Sequence, residues 1–163
     1  MAIKERPIHL LIRFSDSLFG IGNVVEKHNK IVEEFDSVWF GKIGVPISAT
    51  HIAKIERQIE AGVKSYVLLA KGNRKKTDIF IADIYELSRL TPITEKHKIP
   101  EYYIANQLID RMKFWIRIGK ICELPPESFN IFKVRNSIND LHESLYRSSM
   151  GHFVLVKKSD VEK

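Results

Sequence analysis

Hydrophobic residues change their spacing along this chain, and that change restricts the fold more than any motif does. In residues 7–14, PIHLLIRF, the residues Ile8, Leu10, Ile12 and Phe14 alternate with His9, Leu11 and Arg13, the two-residue period of a strand. Val24, Val25, His28, Ile31, Val32 and Phe35 then trace a helical stripe. Asn23 stands at its N-cap position, and Glu26 completes a capping-box pattern. SVWFGKI reads as a second strand. Ser48 is placed to cap ATHIAKIERQIEA, whose Ile52, Ile55 and Ile59 share a face, and Gly62 ends it.

Strands dominate from there. KSYVLLA and TDIFIADIYELSRL form a hairpin with the basic turn KGNRKK at its tip, RMKFWIRIGKICEL is a fifth strand, and GHFVLVKK is a sixth. Between them lie a polar connection, TPITEKHKIPEYY, a short helix, IANQLID, and an irregular stretch over residues 125–135. Ser137 is expected to cap a short helix carrying Ile138, Leu141 and Leu145, and residues 159–163 form a frayed tail. The order β-α-β-α-β-β-loop-β-α-β predicts an α+β fold: a curved, mostly antiparallel sheet or small barrel with helices packed outside. At 163 residues this is expected to be a single domain over residues 1–163, with its core in 7–158.

Composition narrows the chemistry. Cys122 is the one cysteine, so an intrachain disulfide is impossible and a cysteine-based zinc site is excluded in practice. That fits a reducing, cytoplasmic setting. The N-terminal apolar run is too short for a secretory signal, and no segment has the length of a membrane span. Twenty-six lysines and arginines against 20 acidic residues give a net charge of +6, which favours polyanionic partners, nucleic acid before membrane surfaces.

Catalysis has no positive support. Walker A, GxSxG, HExxH and GxGxxG patterns are absent, and FGIGN lacks the third glycine of a nucleotide fingerprint. The six histidines are scattered without metal-ligand spacing. Nothing pairs Asp16, Asp36, Asp78 or Asp83 for acid–base work, and Cys122 reads as a small core residue. No catalytic residue, metal or cofactor is expected.

Two strands suggest binding instead. On the fifth, Lys113, Trp115 and Arg117 share a face: two cations flank an indole, as suits phosphates and a stacked base. The alternative is that Trp115 covers an outer helix while both cations reach past it. On the second strand, Trp39 and Gly41 share a face, which leaves room above the glycine for a flat ligand. There the alternative is a bulge or a closely packed helix.

The run RFSDS, the capped helix and SVWFG together resemble the PUA-like superfamily, in particular its EVE and YTH branches. KFWIRIGKI and LYRSSMGHFVLV are similar to the later strands of EVE proteins, and the likeness spans residues 7–158. The resemblance implies a strongly curved, mostly antiparallel barrel that draws a base, often a modified one, into an aromatic cage. On that basis Ser15 and Trp39 belong to the base pocket with Gly41. Trp115, Tyr102, Tyr103 and Phe19 compete for the second ring, and Asn23 and Asn106 for base-edge hydrogen bonds. Arg13, Lys42, Arg74, Lys75, Lys76, Lys113 and Arg117 are the expected phosphate contacts.

The order of elements also resembles the recognition domains of McrB-type, modification-dependent restriction systems. That likeness implies a non-enzymatic specificity module, DNA favoured over RNA, and cleavage by nuclease or motor partner subunits. An ASCH-type enzyme acting on RNA or a nucleoside is the alternative, with a perturbed lysine or carboxylate in the same cleft. A protein-interaction module using exposed aromatics is a third possibility.

Overall fold

A computed structural model describes residues 6–15, 22–72, 77–148 and 150–161. The strands are β1 (His9–Phe14), β2 (Val38–Lys42), β3 (Tyr66–Gly72), β4 (Thr77–Ser88), β5 (Phe114–Ile118), β6 (Cys122–Glu123), β7 (Phe132–Val134) and β8 (His152–Lys157). The helices are α1 (Val24–Phe35), α2 (Ala49–Glu60), α3 (Glu101–Ala105), α4 (Leu141–Arg147) and α5 (Lys158–Val161). Tight 3-10 turns at Ile93–Lys98, Ile109–Arg111 and Pro126–Ile131 fill three of the connections.

Strand order is β2-β5-β4-β3-β1-β8-β7, with β6 also paired to β4. β1 and β3 run parallel, Leu10 opposite Val67, and every other pair is antiparallel. The fold is therefore α+β with a mostly antiparallel sheet, as the spacing predicts. The closed barrel is not found: among the described residues the pairing is an open path ending at β2 and β7.

The parallel pair explains its own sequence. Leu10 and Ile12 of β1, with Val67 and Leu69 of β3, pack with α1 and α2 through Val24, Ile52 and Ile55. Leu11, Leu68 and Ala70 point the other way, onto Leu141 and Leu145 of α4 and onto Phe132 and Phe153. Strands covered on both faces need near-continuous apolar runs, which HLLI and VLLA supply. β4 serves two ladders: Thr77–Asp83 pairs with β3, and Ile84–Ser88 with β5. The register shifts between Ile84 and Glu86, a bulge that bends and twists the strand where it changes partner.

Two amides fasten the helices to this frame. The Ile8 N–H donates to Gln58 Oε1 at 2.8 Å, and Gln58 Nε2 donates to the Ile8 carbonyl at 2.9 Å. Asn29 makes the same two-way bond with the backbone of Ile121, at 2.9 and 2.8 Å. Each side chain substitutes for a strand neighbour, and each removes two backbone groups from the unsatisfied set.

Local corrections follow. Ser48 caps α2 as expected, accepting from the His51 N–H at 3.3 Å. Asn23 makes no side-chain cap: it sits in the left-handed region at φ 49°, which asparagine tolerates better than most residues. The short helix after the polar connection is EYYIA, not IANQLID. β7 lies inside the stretch expected to be irregular. α4 starts at Leu141, leaving Ile138 99% exposed outside it. Within the tail expected to fray over 159–163, the described residues up to Val161 belong to α5, which docks Val161 against the core, and Lys158 bonds Asp140 at 2.7 Å. No described helix is long and apolar enough to cross a membrane.

Candidate functional site

The end of β1, the residues of β2 and the tyrosines of α3 come together although β1 and β2 are not neighbours in the sheet. These elements enclose a cavity of about 220 Å³. Its walls are Ile12, Arg13, Phe14 and Ser15 from β1 and the residue after it, Val24 at the start of α1, and Phe40, Gly41, Lys42 and Ile43 along β2. Tyr102, Tyr103, Leu108, Met112 and Gly151 complete them. Pockets for drug-sized ligands begin near about 300 Å³, so this one suits a single ring system rather than a whole nucleotide. Among the described residues no carboxylate lines it.

A chain of hydrogen bonds fixes the tyrosine wall. The Gly41 N–H donates to Tyr103 Oη at 3.0 Å. The Tyr103 hydroxyl lies 3.2 Å from His28 Nε2, and His28 Nδ1 lies 2.7 Å from the Val24 carbonyl. A carbonyl only accepts, so Nδ1 carries the proton and Nε2 accepts from the tyrosine. β2, α3 and α1 are thereby locked together by neutral groups. Burial pushes His28 down to about 4 and Tyr103 up to about 12, so neither ionises near neutral pH. Tyr102 stacks on Tyr103 at 4.4 Å between centroids, and Lys27 Nζ lies 5.8 Å from the Tyr102 ring.

The expected site residues separate into two groups. Ser15, Gly41, Lys42 and Arg13 do meet at the cavity. Trp39 and Trp115 do not line it: they are 1% and 0% exposed, packed with Ile99, Tyr103 and Leu108. The space above Gly41 is likewise filled. A Cβ there would stand 2.7 Å from Met112 Sδ and 3.2 Å from Trp115 Cζ3, so the glycine serves a close approach of side chains, not a ligand on Trp39. The Trp115 indole N–H has no hydrogen-bond partner, and that of Trp39 lies near the Glu95 carboxylate without reaching bonding geometry.

Several expected phosphate contacts are committed elsewhere. Arg13 is a staple, donating to the carbonyls of Met150, Leu145 and Ser148 at 2.9, 2.6 and 2.7 Å. Arg117 pairs with Glu86 at 3.2 Å and reaches Ser37 Oγ. Lys113 is exposed beside the β2–β5 ladder, away from the cavity lining. Lys42 is buried, donating to the carbonyls of Ile43 and Val45 at 3.2 and 2.6 Å, and burial pushes its ammonium below the usual lysine value. Asn23 lines a separate shallow groove with Lys30 and Lys71. Asn106 bonds the Tyr102 carbonyl at 2.9 Å. Arg74, Lys75, Lys76, Asp16 and Phe19 lie outside the described residues.

Tyr102, Tyr103, Phe40 and Phe14 are the rings among the described lining, and sequence reading weighed the tyrosines only as competitors and Phe40 only as core. The signal for the tyrosines was present: two in succession after Pro100 in an otherwise polar connection. Among the described residues no cluster of histidine, cysteine, aspartate and glutamate forms a metal site.

A protein-family model described as Pua-like matches residues 10–151, most of the chain. No curated protein and no solved structure matches it.

Proposed function

The chain belongs to the Pua-like family, and we propose that it is a non-enzymatic nucleic-acid-binding module that takes one extruded base into the cavity between β1, β2 and α3. The observation that carries this reading is the cavity itself, apolar, sized for one ring system and walled by Phe40 and Tyr102. Extrusion costs a few kcal/mol of unstacking, and one aromatic platform returns about 1–3 kcal/mol. Ile12, Phe14, Val24, Leu108 and Met112 suit a base bearing an added methyl group, whose burial contributes about 0.8 kcal/mol.

The resemblance to modification-dependent restriction systems favours DNA over RNA. It also favours a specificity role, with cleavage by nuclease or motor partner subunits. Binding of short DNA and RNA strands carrying adenine, 6-methyladenine, cytosine or 5-methylcytosine, measured by anisotropy, tests this. The expected result is a preference for one modified strand that Tyr102→Ala weakens roughly tenfold. Equal binding to all strands, unchanged by Tyr102→Ala, overturns the base-reading pocket.

Lys42 supports a second reading, an ASCH-type enzyme, because a lysine with a lowered pKa lines the cavity. That reading expects product from RNA or a nucleoside and its loss in Lys42→Met. The two carbonyls that accept from Lys42 Nζ favour the ammonium form and speak for a structural role. The protein-interaction alternative, which calls on exposed aromatics, finds them in Tyr85 and Tyr146, at 42% and 54% exposure, and not in the two tryptophans, which are buried.

A further inference from the structure

A second group of basic side chains adjoins the cavity and shares Lys42 with its wall. Lys42 comes from β2, His51 from the first turn of α2, Arg135 from the residue after β7, and His152 from the start of β8. Arg135 Nη2 lies 2.9 Å from His51 Nε2. Guanidinium only donates, so Nε2 accepts and the proton sits on Nδ1, 2.9 Å from Ser48 Oγ. Lys42 stands close enough to act on the His152 imidazole, and two carbonyls hold its ammonium.

Among the described residues the cluster lacks counter-charge. Among the described residues neither Lys42 nor Arg135 makes an ion pair with a carboxylate. His51 is held below the ordinary histidine value by burial, then by Arg135 and Lys54. His152 is lowered by burial, then by Lys42 and His51. No carboxylate of the described residues acts on either imidazole, and the nearby Arg13 guanidinium is bonded to carbonyls. Buried cations are ordinarily paired, and here four basic groups converge with no anion among the described residues. Lys42 lines the cavity, as does Gly151 beside His152, so the cluster stands at the cavity's edge.

We propose that Lys42, His51, Arg135 and His152 form a subsite for the phosphodiester flanking the base held in the cavity. The subsite rests on the nucleic-acid reading above. Arg135 spends one hydrogen bond on His51, and Lys42 spends two of its three donors, so both retain donors for phosphate oxygens. A bound phosphate favours the imidazolium forms of His51 and His152, so binding takes up protons. Affinity therefore rises as pH falls from neutrality toward the histidine range.

The test compares anisotropy titrations of the full chain with an intact modified strand and with the same strand made abasic at the read position. Each is run at two salt concentrations and at pH 7.5 and 5.5. Arg135→Ala is expected to weaken both strands equally, roughly fivefold to tenfold, and to lower the salt slope by about 1. Arg135→Lys should fall between the two, which guards against a folding artefact. The gain in affinity at the lower pH should shrink in His51→Gln and in His152→Gln.

Intact and abasic strands bound alike, with Arg135→Ala weakening both, would overturn the base pocket and leave the phosphate subsite standing. Unchanged affinity and salt slope in Arg135→Ala, or a pH response untouched by both histidine variants, overturns the subsite alone. No binding to any strand overturns both.

Discussion

Two aromatic pairs lie within one cluster, and they have opposite fates. Trp39 and Trp115 stand on adjacent strands, where Trp115 pairs with Gly41 and Trp39 with Arg117. Tyr102 and Tyr103 stand on the short helix of the segment that crosses over them. The strands hold the tryptophans against a backbone that cannot move away, and the crossing segment seals them in. On the crossing segment itself only one face can turn inward. Tyr103 is buried and Tyr102 half-buried, and both contribute to the cavity wall. Rings on the frame thus became core, and a ring on the cover became accessible.

Trp39→Ala removes a fully buried ring and is expected to cost about 3–5 kcal/mol of unfolding free energy in urea titrations. Any loss of nucleic-acid binding should then disappear when affinity is corrected for the folded fraction. A stable Trp39→Ala variant that fails to bind would put the ring back at the site.

Acid should act next, and on the tyrosine side. His28 has a folded pKa of about 4 against 6.5 for the free side chain, so between these values the unfolded chain binds more protons. Its stabilising effect is complete above pH 6.5 and is lost as pH falls toward 4, by on the order of 3 kcal/mol. His9, also held at about 4 by burial and by Lys157, adds to the same slope from the far side of the sheet. Urea midpoints that do not move between pH 7 and 4.5 would contradict the neutral His28–Tyr103 bond. The smallest change in stability belongs to Tyr102→Ala. It should stay within about 1 kcal/mol of wild type, although its effect on binding is expected to exceed that of any other ring.

How much of this was legible in the sequence depended on what each signal reports. β1, α1, β2, α2, β3 and β4 carry clean periods and lie close to where those periods put them. α3, β7 and α5 span five, three and four residues, too few for a period to register, and packing decides them. Alternation correctly put Trp39 and Gly41 on one face of β2. It cannot say whether that face is covered, and the polar-looking residues 91–112 cover it. Charge was read correctly as a total and poorly as a map. Arg13 and Arg117 resemble free cations in sequence, yet internal carbonyls and Glu86 occupy them. Arg135 and His51, 84 positions apart, gave no local sign that they meet.

The placement of β1 between β3 and β8 has a consequence for the chain as it is made. The first strand must wait for residues 66–72 to supply one neighbour and for residues 152–157 to supply the other. Until then a run of leucines and isoleucines keeps an open edge, the kind that recruits other chains. The cavity depends on the same late event, because Gly151 lines it and accepts the Arg13 N–H at 2.9 Å. A polypeptide interrupted before residue 151 can assemble β2, β3, β4 and β5, but the ribosome will have released a sheet without a site.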